Sequence, residues 1–319
     1  MTDRPLLVIA TGTFPDPDAV VERYRDRCAL RVADLADPAA TYGAAAVVVA
    51  THALDAPALR GLAPSVRAIG RTGVGLDSID LDTCAELGIT VVNQPGYGAT
   101  EVATQAVAML LALQRRLPYS DRFVRGGWQG PFALTPLAPL DELTLGLVGC
   151  GRIGAETARL AAPLVREVIA YDPYARRLPP AVRQVDDLDA LLDRSALVSV
   201  HSPLTDATRG LLGRAELGRL PAGAVVVNVA RGGIVDEDAL AELLVSGHLG
   251  GAGLDVFGTE PLPAGSPLLA APNTLFSPHV AAYSERSMWR LASWTVEDLL
   301  GWLGQGGIEH GNLAVRGSR

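Results

Sequence analysis

Short runs of β-branched and apolar residues alternate along the chain with longer stretches whose apolar positions recur at helical spacing. In the first hundred residues the apolar runs are PLLVIAT from Pro5, ALRVADL from Ala29, AAAVVVAT from Ala44, VRAIGRTG from Val66 and ITVVNQPG from Ile89. Runs of this kind belong to strands buried on both faces, and their separation by helical lengths points to a parallel sheet. A long apolar segment then covers residues 99–117, with Thr100 placed as N-cap, Glu101 in the first turn and Pro118 as the stop. It predicts one helix of about 19 residues.

A second alternation starts with LTLGLVG from Leu143. It continues through EVIAYDP from Glu167, LVSVHSP from Leu197, AVVVNVAR from Ala224, GAGLDVF from Gly251 and TLFSPHV from Thr274. Roughly six strands are enough for a second doubly wound sheet. From Ser284, SERSMWRLASWTVEDLLGWL reads as one closing amphipathic helix that folds back onto the first unit, with Trp289, Trp294 and Trp302 packing it. The pattern therefore predicts an α/β chain of two doubly wound parallel-sheet domains, with crossovers near residues 94–98 and near Pro278.

Composition narrows the chemistry. Of the 319 residues 49% are hydrophobic and 19% charged, which supports sizeable cores and excludes disorder as the main state. A net charge of −8 argues against a broad nucleic-acid surface. All 27 cationic side chains are Arg, because the chain has no Lys. That absence removes the Walker A loop, the kinase ATP lysine, and Schiff-base or pyridoxal-phosphate chemistry. Cys28, Cys84 and Cys150 are too far apart for a disulfide framework or a zinc knuckle, so a reducing cytoplasm is expected and no metal. The apolar run after Asp3 is too brief for a signal segment and no other run reaches spanning length, so no membrane partner is expected.

Gly149, Gly151 and Gly154 form GxGxxG in LGLVGCGRIGAETARLAAPLV, directly after an apolar strand and before a helical pattern. That context suits a dinucleotide: a tight turn at Gly149, close approach of a pyrophosphate at Gly151, helix packing at Gly154, and unpaired N–H groups at the helix start. Asp172 ends the next strand, where a carboxylate accepts both hydroxyls of an adenosine ribose and repels a 2′-phosphate. NAD(H) is therefore expected ahead of NADP(H), with Arg176 and Arg177 close enough downstream to keep the second open. Cys150 reads as a small spacer in the loop.

Arg231, Glu260 and His279 each follow a strand of the second unit, and parallel strands deliver their C-terminal ends to one crevice. Reducing a 2-oxo acid needs a proton donor for the developing alkoxide and a cation for the carboxylate, which His279 and Arg231 suit. Glu260 hydrogen-bonded to the imidazole would favour its protonated form and raise its pKa toward or above neutrality. Each residue taken alone also fits a structural role: Arg231 at a helix C-terminus, Glu260 as a turn acid before Pro261, His279 as a core histidine.

An ordered series of segments covers nearly the whole chain: RTGVGLDSID from Arg71, VGCGRIG from Val148, Asp172, HSPLTDATRGLL from His201, NVARGGIVDEDAL from Asn228, GLDVFGTEP from Gly253 and SPHVAAYSE from Ser277. In this series the chain resembles the NAD-dependent D-2-hydroxyacid dehydrogenases, which include phosphoglycerate dehydrogenases and C-terminal-binding proteins. The resemblance implies a Rossmann-type NAD-binding domain, residues 99–283, inserted in a discontinuous flavodoxin-like substrate domain, residues 1–98 and 284–319, with a cleft that closes on ligand and a homodimer formed through the cofactor domain.

The same resemblance makes Arg231, Glu260 and His279 catalytic and puts Arg152 and Ile153 on the pyrophosphate. It puts Ser202, Pro203 and Thr208 on the adenine side, Val229, Ala230 and Asp255 around the nicotinamide, and the amides of Val74 and Gly75 on the substrate carboxylate. Ala282, on the cofactor side, stands where the C-terminal-binding proteins carry a tryptophan facing the substrate, which implies a roomier pocket, although Tyr283, Ser284 and Glu285 resemble that branch. Gln105 replaces a histidine frequent in the family. Arg71 resembles the phosphoglycerate dehydrogenase pattern, where it helps to hold a phosphate, and it equally suits a surface ion pair. His52 fits either the substrate mouth or a strand end.

The expected activity is interconversion of a small 2-oxo acid and its D-2-hydroxy acid with NAD(H). The alternatives are a dehydrogenase of a phosphorylated or phosphonate acid, an NADP-dependent reductase, and an NADH-sensing interaction protein.

Overall fold

The computed structural model describes residues 4–37, 39–62, 64–128, 137–304 and 306–317. The chain divides into two compact units, Met1–Gly98 with Tyr283–Arg319, and Ala99–Ala282. The first run of elements is β1 (Leu6–Ala10), α1 (Pro17–Tyr24), β2 (Ala29–Ala33), β3 (Ala44–Val49), α2 (Ala56–Gly61), β4 (Ala68–Arg71), α3 (Leu81–Glu86) and β5 (Thr90–Asn93). The second run opens with α4 (Ala99–Gln114), α5 (Leu117–Arg125), β6 (Thr144–Val148), α6 (Arg152–Ala161), β7 (Glu167–Tyr171) and β8 (Val182–Gln184). It continues with α7 (Leu188–Leu192), β9 (Leu197–Val200), α8 (Arg214–Arg219), β10 (Val225–Asn228), α9 (Glu237–Val245), β11 (Gly251–Leu254) and β12 (Thr274–Phe276). The last run is α10 (Glu285–Leu303) and β13 (Asn312–Val315).

Among the described residues the first unit forms a six-stranded sheet of order β13-β5-β4-β3-β1-β2, parallel except for β13. The order of its parallel strands is flavodoxin-like. Leu7, Ile9, Ala46 and Val48 pack with Val20 and Tyr24 of α1 and Val296 and Leu299 of α10 on one side. Val8, Val47, Ile69 and Val91 pack with Leu59 of α2 and Cys84 of α3 on the other. Two-sided burial is why these strands read as unbroken apolar runs. The buried Asp298 of α10 accepts the Gln94 amide at 2.9 Å and the backbone amides of Glu309, His310 and Gly311 at 2.8 to 3.0 Å, which ties β13 to the helix.

Among the described residues the second unit forms a seven-stranded parallel sheet of order β12-β11-β10-β9-β6-β7-β8, the doubly wound Rossmann order with a seventh strand. Leu191 of α7, Leu217 of α8 and Leu240 of α9 cover one face, fully buried, each contributing about 2 kcal/mol through removal from water. Met109 and Leu113 of α4 with Ala158 and Ala161 of α6 cover the other. The strand order reverses between β6 and β9, so the loops after these two strands flank the crevice where a ligand binds in open α/β sheets.

Four sequence expectations are corrected. Thr100 lies inside α4, and its hydroxyl donates to Glu156 at 3.2 Å rather than capping the helix. The single helix of residues 99–117 is two, because Arg116 adopts a left-handed conformation, φ 51°, and Pro118 sits in the first turn of α5, where its missing N–H costs nothing. Strands β8 and β13 are additional edge strands, with one buried residue in β8 and none in β13, so their hydrophobic pattern is too weak to read. Trp302 is buried and Trp294 stacks on His310 at 5.0 Å, but Trp289 is 44% exposed.

Candidate active site

The glycine loop leaves β6 in the strand-to-helix turn that the sequence requires. Gly149 has φ 89°, a conformation open to glycine and costly for other residues. Gly151 is the N-cap of α6 and has no side chain to satisfy the helix's first N–H groups, and a Cβ there would meet only open space. A Cβ on Gly154 would lie 2.6 Å from the Gly149 carbonyl oxygen, so only glycine permits this approach of helix to loop. Arg152 and Ile153 are the first two residues of α6. The Asp172 carboxylate accepts the Cys150 amide at 2.9 Å and the Tyr174 amide at 3.0 Å, which fixes it beside the glycine loop with acceptor capacity left for a diol. The cradle therefore fits a dinucleotide: orphan amides for a pyrophosphate and an oriented carboxylate for a ribose. The Cys150 thiol is buried, and that burial pushes its pKa up to about 11, as suits an inert spacer.

The loop after β9 lies against this cradle. Ser202 donates to the Val148 carbonyl at 3.0 Å, and Thr208 donates to the Pro203 carbonyl at 2.6 Å, closing the 203–208 loop on itself. His201 pairs its Nε2 with the Ser199 hydroxyl at 2.9 Å, and its Nδ1 is buried although the residue keeps some surface. Burial pushes its pKa down from 6.5 to about 3. The unfolded chain binds a proton near pH 6.5 while the folded chain does not. Stability is therefore complete above that pH and is lost as the pH falls toward 3, by at most about 1.4 kcal/mol per unit. Urea unfolding at pH 7 and pH 5 checks this: His201→Gln should show a shallower acid loss than the parent chain, and equal slopes would refute it.

Three strand-end loops carry the candidate chemistry. After β10, the buried Asn228 amide donates to the Arg231 carbonyl at 2.8 Å and its oxygen accepts from the Ala230 amide at 3.0 Å, which shapes the turn that presents Arg231. The Arg231 guanidinium donates to the Ala230 carbonyl at 2.7 Å. After β11, Glu260 accepts the Phe257 amide through Oε1 at 3.0 Å and meets His279 Nδ1 through Oε2 at 2.8 Å. After β12, His279 adopts a left-handed backbone, φ 57°, which costs a non-glycine residue roughly 1–2 kcal/mol. With Nδ1 engaged by Glu260, Nε2 is the ring atom left for proton exchange. The Asp255 amide donates to the Asn228 carbonyl at 3.0 Å, linking the Arg231 turn to the β11 end.

The structure thus brings Glu260 into direct contact with His279 and ties the Arg231 turn to the same strand ends. Val229 is buried, and Ala230 and Ala282 are half-buried. Asp255, 1% exposed, spends its carboxylate on the 277–281 loop: Oδ1 accepts from Ser277 at 2.5 Å and the Val280 amide at 2.9 Å, and Oδ2 from the Ala281 amide at 2.9 Å. Sequence reasoning missed Glu237, which reads as an ordinary first-turn acid of α9 but accepts the Gly258 amide at 2.6 Å. Burial raises its pKa, the Gly258 bond opposes that, and the charges of Asp238, Glu260 and Asp236 add to the rise.

In the first unit, Val74 is 40% exposed and its carbonyl accepts from Asn93 at 2.6 Å, while Arg71 donates to the Thr72 carbonyl. Gly75 is partly exposed in the same turn after β4. Both ring nitrogens of His52 are engaged by local backbone, at Ala50 and Thr11, which places it as a strand-end residue. Among the described residues no helix is long and apolar enough to cross a membrane, and no cluster of His, Cys, Asp and Glu could hold a metal ion.

Comparison with known proteins places this geometry. Residues 107–281 match the model of the D-isomer specific 2-hydroxyacid dehydrogenase NAD binding domain. The chain is 35% identical over 291 residues to the glyoxylate reductase of Korarchaeum cryptofilum, covering 90% of this chain and 82% of that one. It is 37% identical over 259 residues to the D-3-phosphoglycerate dehydrogenase of Archaeoglobus fulgidus, covering 80% of this chain but only 49% of the relative, so the match spans about half of that protein's length. The crystal structure of the NADPH-dependent glyoxylate/hydroxypyruvate reductase SmGhrB of Sinorhizobium meliloti, in complex with NADP and malonate, superposes with a TM-score of 0.86 at 31% identity over 99% of both chains.

Proposed function

Because the chain belongs to the D-isomer specific 2-hydroxyacid dehydrogenase family, we propose that it interconverts a small 2-oxo acid and its D-2-hydroxy acid with NAD(H). The observation that carries this reading is the His279–Glu260 pair at 2.8 Å, on strand-end loops beside the dinucleotide cradle. In the reductive direction His279 gives a proton from Nε2 to the developing alkoxide, while the Arg231 fork holds the carboxylate and polarises the carbonyl. Glu260 orients the ring and compensates its positive charge before the proton leaves. In the oxidative direction neutral His279 takes the hydroxyl proton. When bound by the glycine loop, Asp172, Ser202, Pro203 and Thr208, with Val229, Ala230, Asp255 and Ala282 toward its reactive end, the nicotinamide cofactor supplies or accepts the hydride.

The engaged His279–Glu260 pair favours the enzyme over the sensing protein, which needs no proton donor. A homodimer in the cytoplasm completes the proposal, with sedimentation the measure of assembly.

The test is turnover of glyoxylate, hydroxypyruvate and phosphorylated 2-oxo acids with NADH and with NADPH at matched concentrations. A plain acid should be reduced, at least about tenfold more efficiently with NADH, because the Asp172 carboxylate repels a 2′-phosphate. Better kinetics with NADPH would show that Arg176 and Arg177 outweigh Asp172. No turnover despite NADH binding would favour the sensing reading.

A further inference from the structure

The left-handed backbone of His279 needs an external hold, and Asp255 provides it on consecutive residues. Its carbonyl accepts the His279 amide at 2.7 Å, and its carboxylate accepts the amides of Val280 and Ala281, both at 2.9 Å. The carboxylate is itself held. Ser277 donates its hydroxyl proton to Oδ1 at 2.5 Å, so the Ser277 oxygen must act as acceptor toward its other neighbour, the Gln105 amide at 3.2 Å. Gln105 belongs to α4, a helix packed on the sheet face and separate from the strand-end loops. A donor chain thus runs in one direction, from Gln105 through Ser277 to Asp255, and ends on the backbone that presents His279.

We propose that Gln105 and Ser277 are positioning residues for His279, acting through the Asp255 carboxylate. The proposal rests on the reading of His279 as proton donor. Neither side chain exchanges a proton with substrate. Their work is to keep Asp255 in the rotamer that fixes the loop, so that Nε2 stays aligned for transfer.

Ser277→Ala and Gln105→Leu should each lower kcat for hydroxypyruvate with NADH by about 10-fold to 100-fold, the size of loss that a displacement near 1 Å produces. The KM for hydroxypyruvate should stay within about twofold. Ser277→Thr, which keeps the hydroxyl, should recover most of kcat. The double variant should be no slower than Ser277→Ala alone, because both substitutions break one chain.

A readout independent of turnover comes from imidazole NMR. The chain has 5 histidines, and the signal missing in His279→Ala identifies that ring. That signal should move in Ser277→Ala and return in Ser277→Thr. An unmoved signal in Ser277→Ala, or additive losses in the double variant, overturns the proposal. Parental turnover in His279→Ala overturns instead the reading beneath it, and the NMR arm then decides the positioning by itself.

Discussion

His279→Ala should lower kcat for reduction of the preferred 2-oxo acid by about 10²-fold to 10⁴-fold, the range that a positioned general acid contributes. The loss should fall on kcat and kcat/KM together, because the proton transfer is made only in the transition state. NADH binding should be retained, since among the described residues the proposed cradle of β6, α6 and Asp172 shares no hydrogen bond with the ring. Removing the side chain also relaxes the loop, because alanine has no imidazole to be held by Glu260 at 2.8 Å. Glu260→Gln is the informative partner: an amide can still orient the ring but no longer compensates its charge, so its loss should lie between the parent chain and His279→Ala. Stopped-flow reduction together with NADH fluorescence titration separates the two effects. Parental turnover in His279→Ala would remove the mechanism, whereas lost NADH binding would mean that the loop, and not the proton, had been disturbed.

The sheets, their parallel sense and the glycine loop were legible in the sequence because strands buried on both faces leave unbroken apolar runs, as in Ala44–Val49 and Val225–Asn228. What escaped lies at edges and in packing. VRQ at Val182 and NLAV at Asn312 are exposed edge strands with little hydrophobic pattern. The break at Arg116 depends on one backbone angle, and helical periodicity runs smoothly through it.

Within the site, Arg231, Glu260 and His279 stood out because each is a reactive residue type placed just after a strand. Asn228, Glu237 and Ser277 did not, and Gln105 was noticed only as a departure from the family pattern, because their contributions are hydrogen bonds that depend on turn geometry or on partners up to 172 positions away. Asp255 was noticed as a cofactor contact, but its three carboxylate bonds to the His279 loop required the fold.

Gly232→Ala should be among the most damaging conservative substitutions in the chain, although it adds one methyl group. A Cβ at this position would fall within the carbonyl of Phe257 and against the Gly258 nitrogen, all of them backbone atoms that no rotamer change can move aside. Either the Arg231–Gly232 turn or the Phe257–Gly258 turn must retreat by roughly an ångström, since packed interiors do not absorb such overlap. Each retreat carries a candidate catalytic group with it. Arg231 precedes the glycine directly, and the Phe257 amide is the 3.0 Å donor that holds Glu260. Stability should fall by about 1–3 kcal/mol, the usual cost of overpacking, and kcat/KM by about 10²-fold, the loss expected of misplacement on this scale. Gly218→Ala supplies the control: it lies in α8 with nothing near its Cβ, so it should keep full activity and gain up to about 1 kcal/mol from helix propensity. Thermal melts and steady-state kinetics on the two variants read both quantities. Should Gly232→Ala melt and turn over like the parent chain, the close approach of these two turns would not be what sets the site, and the placement of Glu260 would have to come from its bond to His279 alone.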